Sequence, residues 1–499
     1  MALDCRLRER IAIRAAKPVA NHWHGIIAAG MLRRAACEEP AMVYSLIDND
    51  SSAVPLTALG KKQLPDWLES APARERDWAA AVGFKAEAGK TALLPDANGK
   101  LGRVLVGTGD RKVAMWAVAG LSETLPEGSY RLDPLPEGAD ASRVALGWAL
   151  GTYAFTRYHA KPAGTARLVW PEGADHGCVE RLAGAVFLAR DLATTPASDM
   201  GPEELAEAAL QVAKKQGAGC RVVVGDKLLD ENYPTIHAVG RASTRAPRLV
   251  DIVWGDPAAP KVTLVGKGVC FDTGGLDLKP AASMLNMKKD MAGAAIMLGL
   301  GQAIMQSGLK LRLRVLLPCV ENSVSGNAFR PRDIIKTRKG LTVEIGNTDA
   351  EGRLILCDAL SEASDEKPEM IIDAATLTGA ARVALGPELP ALFCNNDALA
   401  DALIAAGLAE DDPMWRMPLY KPYRRLIDSK VADLNNVSDG PQGGAITAAL
   451  YLNEFVDPDV PWAHLDVMAW NNRSRPGRPE GAEAQTLRAV YAHIAGRFG

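Results

Sequence analysis

Short apolar runs at 221–224, 249–254, 262–265, 311–317 and 370–374 alternate with stretches in which apolar residues recur at helical spacing. That alternation constrains the chain to an α/β architecture, with a mixed, mainly parallel sheet covered by helices on both faces. Upstream, Arg103–Val106 and Val113–Trp116 read as strands and Ser142–Thr156 as a helix. A smaller N-terminal α/β domain is therefore expected over residues 42–170, closing at the Pro- and Gly-bearing segment Ala160–Thr165. A helix over 176–192, centred on Gly177–Leu192, links it to a larger domain at 171–499. Residues 1–41 fit neither domain. Arg6, Arg8, Arg10, Arg14, Arg33 and Arg34 face only Asp4 and Glu9 as acids before residue 35, yet serine is missing and no continuous apolar core follows. The segment thus lacks the marks of a transit or signal peptide. It is expected to be a disordered extension, with Met42 as the working start.

The most informative short stretch is Asn347-Thr348-Asp349-Ala350-Glu351-Gly352-Arg353-Leu354. Two carboxylates one small residue apart can both reach one cation if the backbone is extended or turned. Gly352 lets the chain bend, and Arg353 places a fixed positive charge beside them. The octapeptide lies between an apolar run, Leu341–Ile345, and a helical pattern starting at Leu354. Sites in open α/β sheets form where a strand ends and a helix begins. Alone, the stretch reads first as a solvated charged turn.

A second cluster decides between those readings. Lys267 follows the buried-strand pattern Val262–Val265, and Asp272 precedes the pair Gly274-Gly275, which permits positive φ and close backbone approach. Lys279 stands before Pro280 and is biased toward an extended backbone. Asp290 opens a small-residue helix, Ala292-Gly293-Ala294-Ala295, suited to lie close against a sheet. The candidates are Lys267, Asp272, Asp290, Asp349 and Glu351 around metal, with Lys279 and Arg353 beside it. Four carboxylates in one pocket repel and resist ionisation. Two divalent cations remove that problem. Oxygen-rich ligation suits Mg or Mn, and Zn is open with carboxylates and a nitrogen donor. A lysine ligand must be neutral, which adjacent cations and burial would enforce.

Other chemistries lack their motifs. A P-loop needs a glycine five residues before Gly266, and position 261 is Lys; a dinucleotide fingerprint fails because position 271 is Phe. The seven histidines stand outside these segments, no HExxH occurs, and no GxSxG elbow supports serine hydrolysis.

These segments resemble the two-metal leucine (leucyl, or cytosol) aminopeptidase family. NTDAEGRL stands unchanged, GKGxxFDxGGxxxKP is matched by 266–280 with Thr273 where many members carry Ser, and MxxDMxGAA is matched by Met287–Ala295. Arg190–Asp199, Asp373–Ala380, Ala432–Asn436 and Gly443–Ala448 agree further, so the resemblance spans about 185–470, and residues 1–41 lie outside it. It implies that Asp272 and Glu351 bridge two metals, with Lys267 and Asp290 completing the tighter site and Asp349 the more exchangeable one. It implies a metal-bridged hydroxide as nucleophile, Lys279 stabilising the gem-diolate, and Arg353 holding bicarbonate as general base. Met287, Asn347, Thr376, Leu377 and Gly379 match substrate-pocket positions. The implied function is release of N-terminal residues from peptides, leucine and other apolar residues foremost, by a homohexamer arranged as a dimer of trimers. Arg475-Pro-Gly-Arg-Pro479 replaces a Gly-Thr-Gly-type loop, so no pocket residue is carried over from that end.

Composition agrees with an enzyme at work in the cytoplasm. Net charge −3 gives no global case for nucleic acid or membrane, and no run approaches a membrane span. Duplex DNA binding, which some bacterial members of the family show, would need a local basic stripe made by assembly. The eight cysteines lack any CxxC; Cys270, Cys319, Cys357 and Cys394 sit in apolar stretches and read as buried free thiols in a reducing compartment.

Overall fold

The computed structural model describes residues 44–499, apart from 110–114, 136–137 and 161–163. The expected extension over 1–41 lies outside the described residues.

The first sheet has six strands, in the spatial order Leu46–Ile47, Ala166–Val169, Gly128–Leu132, Val54–Gly60, Leu101–Gly109 and Thr91–Pro95. Neighbours are parallel except the last pair. Side chains alternate across a strand. Val104 and Val106 accordingly pack with Trp148 and Val144, while Leu105 packs on the other face with Leu94 and Ala79. The helix carrying Trp148 is Ala141–Gly151, capped where the Asp140 side chain accepts from Arg143 N–H at 3.0 Å. It stops short of the expected Thr156. The Thr152 hydroxyl donates to the Ala149 carbonyl (2.7 Å), and Tyr153 turns away to donate to Asp191 (2.7 Å). The expected strand Val113–Trp116 is also corrected: Met115–Ala117 forms a 3₁₀ turn, and Val113 and Ala114 lie outside the described residues. Met115 and Trp116 both pack on one apolar cluster, whereas successive residues of a strand point to opposite faces; Trp116 is also held beneath Arg478 at 3.8 Å.

The second sheet has nine strands. Eight lie in the order Trp415–Arg416, Ala391–Cys394, Trp462–Asp466, Met370–Ala375, Lys261–Gly266, Arg312–Asn322, Arg248–Trp254 and Gly219–Val224; Gly268–Asp272 adds to Arg312–Asn322. Pairing is mixed and mainly parallel, parallel throughout the centre. Two apolar layers cover it, as period-two alternation requires. Val262, Leu264, Met370 and Ile372 face the layer built on helices His176–Thr194 and Ala292–Ser307, while Val265 and Ile371 face helix Gly352–Asp365. Residues 471–480, which depart from the family pattern, dock against the first sheet's side. The Gly477 carbonyl accepts from buried Arg190 at 2.7 Å, and Arg478 stacks on Trp116.

At the centre, the carboxyl ends of the parallel strands Lys261–Gly266, Gly268–Asp272, Arg312–Asn322, Met370–Ala375 and Trp462–Asp466 all open on one edge. That is where an α/β sheet forms its cleft.

Candidate metal centre

Lys267 is the single residue between two strands, Lys261–Gly266 and Gly268–Asp272. Its backbone is fixed on both sides: its N–H donates to the Ala374 carbonyl (3.0 Å) and its carbonyl accepts from Ala294 N–H (2.8 Å). The buried ammonium reaches Asp290 Oδ2 at 2.7 Å, Glu351 Oε1 at 2.9 Å and the Thr376 carbonyl at 3.0 Å. Gly352 touches the same side chain. It is the first residue of helix Gly352–Asp365, so its role is close approach to Lys267 and not the bend expected from the sequence.

Asp272 ends its strand, and the chain turns through Gly274 (φ 86°) and Gly275 (φ 67°), a path open to glycine. That turn brings Gly274 N–H to Asp272 Oδ1 (2.8 Å), which also accepts from Asn322 Nδ2 (2.9 Å). Asp272 Oδ2 meets Lys279 Nζ at 2.8 Å, and Lys279 also pairs with Asp349. Asp290 lies in a 3₁₀ turn, Met287–Met291, and the α-helix begins at Ala292. Its Oδ1 accepts from the Thr376 hydroxyl at 2.7 Å.

Asp272, Asp290 and Glu351 each offer an oxygen, and these atoms lie within 4.8 Å of one another. All three side chains are buried, and Glu351 Oε2 has no hydrogen-bond partner. Burial, then the Asp272 charge, pushes the Glu351 carboxyl up to about 8. Burial and Asp290 push Asp272 up to about 6, against Lys279 and Lys267. Burial lowers the Lys267 ammonium, but Asp290, Glu351 and Asp272 outweigh it and hold the group above its ordinary value. The neutral lysine expected from the sequence belongs to a site with cations beside it, whose charge would oppose the ammonium. An orphaned buried carboxylate oxygen and carboxyls raised by burial and mutual repulsion are what a cation site of oxygen donors leaves when only protein atoms are considered.

The loop 346–351 is held by Asn436. Its Oδ1 accepts from Gly346 N–H (2.7 Å) and Asn347 N–H (3.2 Å), and its Nδ2 donates to the carbonyls of Asn347 (2.7 Å) and Ala350 (3.3 Å). Asn347 Oδ1 accepts from Asp349 N–H at 2.7 Å, so that side chain shapes the loop. Arg353 lines the same cleft as Asp349 and Glu351. It is buried, Nη1 donates to the Asn436 carbonyl (2.6 Å), and Nε has no partner.

Every residue singled out from the sequence lines one cleft of about 510 Å³: Lys267, Asp272, Lys279, Met287, Asp290, Asn347, Asp349, Glu351, Arg353, Thr376, Leu377 and Gly379. Lys289 and Arg382 line it too. Burial, then Arg382, pulls the Lys289 ammonium down to about 7.

Three comparisons bear on this arrangement. Residues 187–491 match the cytosol aminopeptidase family, catalytic domain, and residues 54–171 match the M17 aminopeptidase N-terminal domain. The chain belongs to the cytosol aminopeptidase family. It is a metal-dependent exopeptidase that hydrolyses peptides. A probable cytosol aminopeptidase of Roseiflexus castenholzii is 42% identical over 368 residues, 70% of this chain and 75% of the relative. Peptidase B of Pectobacterium atrosepticum is 43% identical over 348 residues, 67% of this chain and 80% of its own. The crystal structure of the Coxiella burnetii cytosol aminopeptidase is 47% identical, covers 91% of this chain and 100% of its own, and superimposes with a TM-score of 0.88. The bottromycin maturation enzyme BotP, solved with Mn, is 33% identical with a TM-score of 0.82, covering 90% of this chain and 100% of its own.

Within this cytosol aminopeptidase fold, several site residues gave little signal in the sequence. Asn322 is an ordinary strand end until the fold sets it against Asp272. Asp466 anchors the other wall, accepting from Leu377 N–H (3.1 Å), Thr378 N–H (3.2 Å) and the Thr378 hydroxyl (2.5 Å). Asn436 stood in a matched segment, Ala432–Asn436, that suggested no role on its own.

Proposed function

We propose that the enzyme removes the first residue of a peptide at two divalent cations, Mn or Zn with Mg open, held by Lys267, Asp272, Asp290, Asp349 and Glu351. The observation that carries this reading is the triad of buried carboxylates Asp272, Asp290 and Glu351, with oxygens within 4.8 Å and one of them orphaned. Asp272 and Glu351 would serve both cations, Lys267 and Asp290 the tighter one, and Asp349 the more exchangeable one. Bound there, such cations lower the pKa of a water and polarise the scissile carbonyl.

The chain's own groups do the rest. Lys279, now shared between Asp272 and Asp349, sits on the cleft wall where its ammonium can meet the carbonyl oxygen as negative charge develops on it. Arg353 keeps a buried, unpartnered Nε, and its planar fork suits bicarbonate, which would take the proton from the attacking water. Met287 and Leu377 give the first side chain an apolar wall, leucine included, beside Asn347, Thr376 and Gly379. Residues 42–170 and 171–499 act as separate domains, the first serving assembly of a homohexamer.

Hydrolysis of leucyl-p-nitroanilide with added Mn is the direct test. Lys279→Ala and Glu351→Ala are each expected to lower kcat by about 100-fold or more. Unchanged turnover in both variants refutes the assigned roles.

A further inference from the structure

Asn322 is the last residue of strand Arg312–Asn322, and it is buried. Its backbone carbonyl accepts from Thr273 N–H (3.1 Å) and from the Thr273 hydroxyl (2.8 Å), which fixes the base of the side chain beside Asp272. The side-chain nitrogen then donates twice, to Asp272 Oδ1 at 2.9 Å and to the Thr348 carbonyl at 3.1 Å. Both partners are acceptors, so only the NH₂ end of the amide can face them. One side chain thus spans the two chain segments that meet at the cleft, 272–279 and 347–351.

The other end of the amide has no partner. Asn322 Oδ1 is buried and unpaired, and a Cβ on Gly275 would stand 2.9 Å from it, so the amide has little room to swing aside. An unpaired buried acceptor is destabilising, and an apolar side chain of the same size would avoid that cost. The two donated bonds supply what such a side chain could not. They divide the work of Asp272: Gly274 N–H and Asn322 Nδ2 occupy Oδ1, while Oδ2 is left to meet Lys279. They also pin the carbonyl one residue before Asp349. The remainder of Thr348 is held by the first segment, its N–H donating to Asp277 Oδ2 and its hydroxyl to the Gly274 carbonyl, both at 2.7 Å. Lys267, Asp290 and Glu351 are held instead by one another and by Thr376.

We infer that Asn322 is a positioning residue that ties the more exchangeable of the two cation positions to the carboxylate both positions share. Its amide sets Asp272 and the backbone before Asp349 in one geometry, so the two move together or not at all. The inference rests on the two-cation reading above and assigns that site a residue which touches neither substrate nor ion. Groups that orient ligands from behind typically change ion affinity by about 10- to 100-fold when they are removed. The loss should be uneven. Asp349 depends on the Asn322 clasp, whereas Lys267, Asp290 and Glu351 keep their own supports.

The test is calorimetric titration of Mn into the chelator-treated full chain, which gives the number and affinity of ions without reference to turnover. The native chain is expected to take two. Asn322→Leu keeps the volume and removes both donors, and Asn322→Ser is a milder change that carries the test if the leucine variant fails to fold. Each is expected to weaken the second ion by about 10-fold or more and the first by less. Thr348→Val is the control: it takes a hydroxyl from the same junction but keeps both Asn322 bonds, so its melting temperature should fall while the second ion is retained. Native affinities in the folded Asn322 variant, equal weakening of both ions, or the same loss in Thr348→Val overturns the inference and leaves the two-cation reading intact. A native chain that binds fewer than two Mn removes both.

Discussion

Gly352 and Lys267 are in contact across the sheet edge: a Cβ on Gly352 would stand 2.4 Å from Lys267 Cε. Any larger residue there must push the lysine off Asp290 and Glu351. Overpacking of this kind costs about 1–3 kcal/mol. Gly352→Ala is therefore expected to lower the melting temperature and to cut activity sharply, because the displaced group is among the proposed metal ligands. Thermal melts and Mn titration of the purified variant check both effects.

Asn436 holds the metal-side loop through two accepted and two donated hydrogen bonds. Its removal leaves backbone groups at 346, 347 and 350 unpaired; Gly346 is exposed and the other two are half-buried, so each costs less than the roughly 1–3 kcal/mol of a fully buried group. Asn436→Ala should lose thermal stability and catalytic efficiency together. Asn436→Asp keeps the acceptor and loses the donor, so an intermediate result is expected. Equal behaviour of the two variants would mean that the donated pair does most of the holding.

Histidine enters stability through a buried pair: His464 Nδ1 lies 2.6 Å from Asp373 Oδ1. Burial lowers the His464 pKa, but Asp373 outweighs it and the value is raised overall. The unfolded reference is about 6.5. A raised folded-state pKa means that the stabilisation is fully present below the unfolded value and fades as pH climbs through the folded one. The gap in melting temperature between the native chain and His464→Gln should thus be widest on the acidic side and narrow toward alkaline pH. A gap that widens with pH would contradict the pairing.

Ion binding should register in stability as well as in rate. A ligand at 100 times its Kd adds about 2.7 kcal/mol to the folded state. Mn is expected to raise the melting temperature of the chelator-treated native chain. Glu351→Ala should lose most of that rise, because the variant lacks the carboxylate that lies against both Lys267 and the Asp272–Asp290 pair. Scanning calorimetry with and without Mn makes the comparison.

The larger sheet was legible because its strands are short apolar runs at 249–254, 262–265 and 370–374, and the structure extends each by only a residue or two. The chemistry-bearing residues were legible for a different reason. Lys267 and Asp272 are charged groups set where strands end, and Lys279, Asp290, Asp349 and Glu351 stood out through the motifs that resemble the family. What escaped is whatever depends on a partner far along the chain. Asn322 meets Asp272 across 50 positions and Asn436 meets Asn347 across 89. Lys289 is buried and so is Arg382 Nη1, and nothing local to either residue marks it. Met115 looked like part of a strand because a 3₁₀ turn that buries one side has too short a period to show in four residues.

The two lysines in the carboxylate cluster decide how its charge would balance in the proposed reaction. Asp272, Asp290, Asp349 and Glu351 against Lys267 and Lys279 sum formally to −2, four negative charges less two positive. Two divalent cations would more than cancel that remainder. The surplus of positive charge would then fall to the attacking hydroxide and to the oxyanion that develops on the peptide.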